Sequence, residues 1–382
     1  MKKLITVLAL TLVLLLPVSA LAAPEETGLI VRARAALLMD ADSGRILFEA
    51  DADKPVPIAS VTKVMTLNLI FDALENGTLT LEETVRVSAE ASGMGGSQVY
   101  LDAGSDYPVS DLIKSIIMAS ANDACVAMAE RLAGSEDAFV VKMNQKAQKL
   151  HMTNTTFKNC TGLPCAGHVS TARDVALMSR ELLTHDLYFR WSTLWTDAIT
   201  HPKDGRQTGL VNTNKLIRSL AGCDGLKTGS TNEARFCVTT TAKRGEMRLI
   251  SVILGGDTSA GRFADAAKLI NYGFAHYGRF TAVTEGETLG TVNLAGGKEK
   301  TVTLLAGKTA AVCVKNDESE KVETVTEIPE NVQAPVKKGQ VIGSVTVKRN
   351  GVIVETVPLT ADRDYPASGF FDRFKDILSF WK

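Results

Sequence analysis

The sequence predicts an α+β chain that ends in a small all-β domain. Three observations carry this. Short apolar runs bounded by turn residues, at 35–48 and again at 236–254, read as strands. Apolar residues recur at helical spacing from 64 to 74, from 112 to 118 and from 260 to 277. Past Arg279 the texture changes to short alternating runs, such as 301–305 and 341–347, separated by Gly, Asn and Lys turns. A chain of 382 residues has room for both units and a sizeable core.

In chain order, the first stretch is an export signal. Met1-Lys2-Lys3 is basic, residues 4–16 are apolar apart from two threonines, and Ala20-Leu21-Ala22 has the small-x-small form of a cleavage site. The apolar run is short for a membrane span. Removal of residues 1–22 and a mature protein outside the cytoplasm are expected.

Ala35-Ala36-Leu37-Leu38-Met39 then reads as a buried strand, Asp42-Ser43-Gly44 as its turn and Arg45-Ile46-Leu47-Phe48 as the return. Pro55 and Pro57 hold the next stretch extended, so a helix is expected from near Ser60. Ser92-Gly93-Met94-Gly95-Gly96-Ser97 is expected to be a loop lying over another part of the structure. Ser110-Asp111 is expected to cap a helix that ends in Ala119-Ser120-Ala121-Asn122-Asp123, before a new helical pattern from Ala124. Ser170-Thr171 opens a further helix, and Trp191 and Trp195 read as packing residues. Residues 236–241 and 249–254 are strands, and an amphipathic helix over 260–277 closes the first domain.

Several function classes are excluded. A net charge of −1 leaves no broad basic field, so no nucleic-acid partner is expected. The five histidines show no metal-ligand spacing and there is no pair of Cys-x-x-Cys motifs, so neither metal nor cofactor is expected. Six cysteines are few for a disulfide scaffold. Cys125 reads as core. Cys160 with Cys165, and Cys223 with Cys237, are open to either a bridge or two free thiols.

Three short motifs carry chemistry. In Ser60-x-x-Lys63 the lysine stands one helical turn from the serine, on the same face, within reach of its oxygen. A hydroxyl becomes a useful nucleophile when a base takes its proton. A lysine can be that base if burial or neighbouring cations lower its pKa. Ser120-x-Asn122, between two helices, can point two polar side chains into a cleft. Lys227-Thr228-Gly229 lies at or near a strand, and a glycine there lets backbone approach backbone, as an edge strand receiving an extended peptide requires. Taken singly, each has an ordinary reading as a cap, a helix break or a surface turn. The ordered set behind an export signal is far more specific.

With these motifs the sequence resembles the penicillin-binding proteins and serine β-lactamases, a group marked by such a motif set. Within that group it is most similar to the low-molecular-mass D-alanyl-D-alanine carboxypeptidases. Pro57-Ile58-Ala59-Ser60-Val61-Thr62-Lys63, Ser120-Ala121-Asn122-Asp123-Ala124, Thr161-Gly162-Leu163, Lys227-Thr228-Gly229 and Met247-Arg248-Leu249-Ile250 carry the resemblance, which spans residues 30 to 365. It implies a catalytic domain with a central antiparallel sheet packed by helices, and a small C-terminal β domain. It implies an enzyme that removes the terminal D-alanine of peptidoglycan stem peptides ending in D-Ala-D-Ala, and that β-lactam antibiotics acylate.

The residue roles come from the same resemblance. Ser60 is the nucleophile, Lys63 the base and Ser120 the proton relay. Asn122 holds the substrate amide and Lys63. Lys227 adds positive charge, and Thr228 and Arg248 bind the terminal carboxylate. Gly229 belongs to the peptide-binding strand, and the N–H groups of Ser60 and Ser230 form an oxyanion hole. No clear Glu-x-x-Leu-Asn segment of the class A β-lactamase kind is present, so a penicillin is expected to remain on Ser60 for long. A DD-endopeptidase or weak β-lactamase of the same fold, and a non-catalytic penicillin-binding scaffold, are the alternatives.

The expected domains are 1–22, the export signal; 28–278, the catalytic domain; 279–366, the β domain; and 368–382, a terminal helix. Phe370, Phe371, Phe374, Ile377, Leu378 and Trp381 fall on one face of that helix. It is too short and too charged to span a bilayer; a peripheral position on the outer face of the cytoplasmic membrane is expected, as the resemblance also implies, with a helix docked on the protein's own surface as the alternative.

Overall fold

The structure, a computed structural model, describes residues 28–369. The expected export signal and, from residue 370, the expected terminal helix lie outside the described residues. Residues 28–30 have no regular secondary structure, and the folded unit begins at Val31.

Its centre is a five-stranded antiparallel sheet. β1 (Ala35–Asp40) and β2 (Ile46–Ala50) form the first hairpin, and β3 (Cys223–Thr231), β4 (Arg235–Arg244) and β5 (Met247–Gly256) come from much later in the chain. The order is β2-β1-β5-β4-β3, with Leu37 opposite Val252 and Lys227 opposite Thr239. All six residues of β1 are buried, which explains its unbroken apolar run: helices cover both sheet faces. β3 is an edge strand.

Six helices build the surroundings of this sheet and of the site beside it. They are α1 (Lys63–Glu75), α2 (Val109–Met118), α3 (Asn122–Ala133), α4 (Glu136–Lys149), α5 (Ala172–Leu182) and α6 (Ser259–His276). α6 lays Ala266, Leu269 and Ile270 on the sheet. α1 is enclosed by its neighbours, so even its polar Thr66 and Asn68 are buried. Their side chains donate to the carbonyls of Cys160 at 2.6 Å and Met178 at 2.9 Å, as buried polar groups require.

Two details differ from the sequence reading. α2 begins at Val109 after Pro108, without a side-chain cap, because Val109 N–H is taken by the Glu83 carbonyl. Ser110 and Asp111 therefore sit inside its first turn, where Asp111 favours the helix dipole. All six cysteines are free thiols. Cys223 faces Ala242 and Cys237 faces Gly229, so the β3–β4 register keeps those two apart.

The chain beyond α6 is all β. A two-stranded ladder pairs Tyr277–Val283 with Ala310–Lys315, and a six-stranded sheet packs Val302, Leu304, Val345, Val347, Val357 and Leu359 into a core of its own. Arg45, in the β1–β2 turn, forks onto Glu320 at 2.7 and 2.8 Å and also donates to the Cys313 carbonyl. Such planar two-bond pairs fix geometry as well as adding energy. Among the described residues no helix is long and apolar enough to cross a membrane.

One close approach positions the start of α1. Gly162, at φ +81°, lies so near the chain before α1 that a Cβ would come within 2.0 Å of the Ala59 carbonyl oxygen. Substitution Gly162→Ala adds left-handed strain to this clash, and the backbone on the other side cannot yield cheaply. A loss of about 1–3 kcal/mol is expected, as overpacking generally costs, read as a lower urea midpoint with unchanged slope. An unchanged midpoint would contradict the close packing.

Candidate active site

The approach to α1 is a single 3-10 turn, Ala59–Thr62. In a 3-10 turn residues three apart eclipse one another, so Lys63 stands directly over Ser60. Ser60 makes no capping bond there, and its hydroxyl is free for Lys63. Ala59, just before it, has φ +47°, a conformation that costs a non-glycine residue free energy and that recurs at functional turns.

Lys63 is fully buried. Its Nζ lies 3.0 Å from Ser60 Oγ, 2.7 Å from Asn122 Oδ1 and 2.6 Å from the Thr161 carbonyl. None of these is a carboxylate. Burial accordingly pushes the lysine pKa below its ordinary value. In its neutral form the amine can give its two protons to Asn122 and Thr161, which turns its lone pair toward the Ser60 hydroxyl.

Each of those acceptors is fixed by its surroundings. Asn122 opens α3, and its Nδ2 donates to the Gly95 carbonyl at 2.7 Å while its N–H donates to Ser97. The Gly-rich loop thus lies over Asn122. Asp123 pins the continuation of that loop by accepting from the N–H groups of Val99 and Leu101. Thr161 is held by Asn159, whose Oδ1 accepts from the N–H groups of Thr161 and Gly162. His168 Nδ1 accepts from Lys158 N–H, which leaves Nε2–H to donate to Thr62 Oγ1 at 2.8 Å. Burial first and the Lys158 charge second push its pKa down to about 4, so it clamps the loop as a neutral ring.

Ser120 occupies the turn between α2 and α3 at φ +62°, and its buried Oγ has no hydrogen-bond partner among the described residues. On the other side stands β3. A Cβ on Gly229 would fall 2.8 to 2.9 Å from Ser60 N, Ile58 O and Val61 N, so only glycine lets the edge strand press against the serine turn. Ser230 follows it, exposed, at the rim. Thr228 Oγ1 donates to Thr213 Oγ1 at 2.8 Å.

Lys227 is buried and donates to the Thr228 carbonyl at 3.1 Å. Burial first, then repulsion from Lys63 and Arg262, holds its pKa well below the lysine norm. With one acceptor against three, Lys227 retains a proton less readily than Lys63.

Arg248 is not brought to this site. It faces Lys243 across the sheet, whereas Ser230 faces Phe236, and seven residues of strand span about 23 Å. Its guanidinium forks onto Asp224 at 2.8 and 2.8 Å and lies over the Phe189 ring. It is a structural ion pair at the far end of the sheet. The arginine that does reach the site is Arg262 of α6, which donates to the carbonyls of Gly229 at 2.8 Å and Cys237 at 3.1 Å. No local pattern marks it, because sheet order alone brings α6 behind β3.

Comparison with known proteins agrees with this geometry. Residues 21–258 match the family model described as D-alanyl-D-alanine carboxypeptidase, and residues 277–367 match that of the penicillin-binding protein 5 C-terminal domain. The D-alanyl-D-alanine carboxypeptidase DacF of Bacillus subtilis (strain 168) is 37% identical over 91% of this chain and 90% of its own length. The crystal structure of a peptidoglycan synthesis regulatory factor, PBP3, from Streptococcus pneumoniae superposes with a TM-score of 0.77 at 26% identity, over 88% of this chain and 100% of that one. Penicillin-binding protein D2 of Listeria monocytogenes, solved in an ampicillin-bound form, gives a TM-score of 0.57 at 36% identity, over 64% of this chain and 99% of its own. With a buried amine set against a serine, an edge strand beside both, and a family match over more than half its length, the chain belongs to the D-alanyl-D-alanine carboxypeptidases.

Proposed function

We propose that the chain removes the terminal D-alanine of peptidoglycan stem peptides through an acyl-enzyme on Ser60, and that β-lactams acylate the same oxygen. The observation that carries this reading is Lys63 Nζ, buried without a carboxylate and 3.0 Å from Ser60 Oγ. The peptide lies along the edge strand β3, its carboxylate near Thr228 and Lys227. An anion there supplies the counter-charge that Lys227 lacks. A protonated Lys227 in turn disfavours charge on Lys63, which favours the neutral base.

Chemistry proceeds from there. Ser60 Oγ attacks the carbonyl carbon of the penultimate D-alanine as its proton passes to Lys63 Nζ. The N–H groups of Ser60 and Ser230 receive the developing oxyanion. The C–N bond then breaks, and the departing amine takes a proton from Ser120 Oγ, which is replenished from Lys63. Water hydrolyses the ester and releases the shortened peptide. The family match and the ampicillin-bound relative support this reading.

Substitution Ser60→Ala is expected to abolish both D-alanine release from a diacetylated Lys-D-Ala-D-Ala peptide and the covalent penicillin adduct seen by mass spectrometry. Stability should change by no more than about 1 kcal/mol, since the hydroxyl caps nothing. Turnover by the folded variant would end the proposal.

Location is proposed on sequence grounds. Export by residues 1–22 and an interfacial helix at 368–382 would hold the enzyme at the outer face of the membrane, facing its polymeric substrate. Deletion of residues 368–382 should move the protein from the membrane fraction to the soluble one while small-peptide turnover stays within about twofold, because every residue assigned to the site precedes them in the chain. Unchanged sedimentation with membranes would refute the anchor.

A further inference from the structure

A second cluster of chemically capable side chains lies at the opposite end of α1. Asp72 is nine residues beyond Lys63, about 14 Å along the helix. Glu181 of α5 and His185 just after it face Asp72, with ligand atoms of the three all within 4.8 Å of one another. His185 is 3% exposed, and its Nε2 is buried without a hydrogen-bond partner among the described residues. That nitrogen lies 3.8 Å from Asp72 Oδ1, too far for a hydrogen bond. Glu75 Oε1 sits 2.6 Å from Nδ1, so with the ring proton on Nδ1 and donated to Glu75, Nε2 is the nitrogen left to ligate.

A lone pair aimed at a carboxylate is unfavourable unless a cation stands between them. The cation beside the two carboxylates is Lys146 of α4, whose Nζ lies 3.0 Å from Asp72 and also contacts Glu181. Lys146 thus serves the two carboxylates and leaves Nε2 without a hydrogen-bond partner among the described residues. Asp72, Glu75 and Glu181 bring three negative charges against this one lysine. Lys142 and Lys149 line the adjoining groove, and Lys142 Nζ is committed to the Leu132 carbonyl.

The geometry points to a divalent-cation site, best suited to zinc, made by Asp72, Glu181 and His185 with Lys146 as the occupant that the metal displaces. Two carboxylates and one imidazole are a zinc-type donor set, and a carboxylate on the far ring nitrogen is the support that ligating histidines commonly have. Asp72 and Glu181 are partly exposed, at 33% and 28%, which leaves an entry path and room for water as a fourth ligand. The lysine has a flexible stem and can swing into the groove as the ion enters. The bound ion ties the end of α1 to α5, where His185 stacks on Phe71 at 5.7 Å. Its role is structural, since the site is remote from Ser60.

The test is zinc titration by calorimetry on the full chain, stripped with chelator, in a Cys165→Ser background that removes the exposed thiol. One ion should bind per chain. Lys146→Ala should tighten binding by roughly tenfold or more, and Glu181→Gln or Asp72→Asn should weaken it by a similar factor. X-ray absorption should show one imidazole and oxygen ligands at about 2.0–2.2 Å and no sulfur. Absence of saturable binding, a Lys146→Ala variant that binds no tighter, or sulfur in the coordination shell would each overturn the assignment.

Discussion

A buried amine without a carboxylate is the constraint on which this structure turns. Enclosing an ammonium in protein costs several kcal/mol unless a counter-ion compensates, and Lys63 has none within hydrogen-bonding distance. It is surrounded by neutral acceptors, so its proton is held loosely. Asp123, next to Asn122 in the chain, directs its oxygens to the N–H groups of Val99, Leu101 and Ala124. A carboxylate in place of Asn122 would restore the ion pair and hold Lys63 in its charged form, which cannot accept a proton.

The cost of holding this amine is spread through the fold. Ala59 and Ser120 take left-handed backbone, Gly162 and Gly229 bring backbone within contact of the serine turn, and His168 sits as a neutral clamp. These features persist because the sheet and α1 overdetermine them. Electrostatics reinforce the design from the other side. Arg262 brings positive charge behind the edge strand, and Lys227, whose proton burial and its cationic neighbours hold loosely, takes one up when an anion lies beside it, so the region invites an anion. The free enzyme is thus incomplete in charge, and a substrate with a terminal carboxylate completes it.

Much of this was legible in the sequence, for identifiable reasons. The apolar runs of β1 and β5 and the helical spacing of α1 and α6 report burial directly. The serine–lysine spacing reports local geometry, since three residues span one turn whether it is α or 3-10. Features that depend on distant chain segments left no mark. Thr161 acts through its carbonyl, so its side chain carries no signal of the bond to Lys63. Arg262 reaches Gly229 only because α6 packs behind β3. Arg248 illustrates the converse: a local match suggested a site role, whereas the β4–β5 register carries it to the far end of the sheet, onto Asp224. Helix starts were also blurred, as at Pro108, where a neighbouring ladder decided the boundary rather than a capping side chain.

The central claim is that Lys63 works as a neutral base because burial lowers its pKa. A lowered pKa means that the amine loses its proton at a lower pH than a free lysine, so the reactive fraction rises with pH and levels off early. The direct measurement is the rate of Ser60 acylation by a penicillin across the pH range in which the fold is intact. The rate should climb with pH through an inflection clearly below the free-lysine value of about 10.4 and then reach a plateau. A rate that does not vary with pH, or one that climbs only at the free-lysine value, would contradict the account.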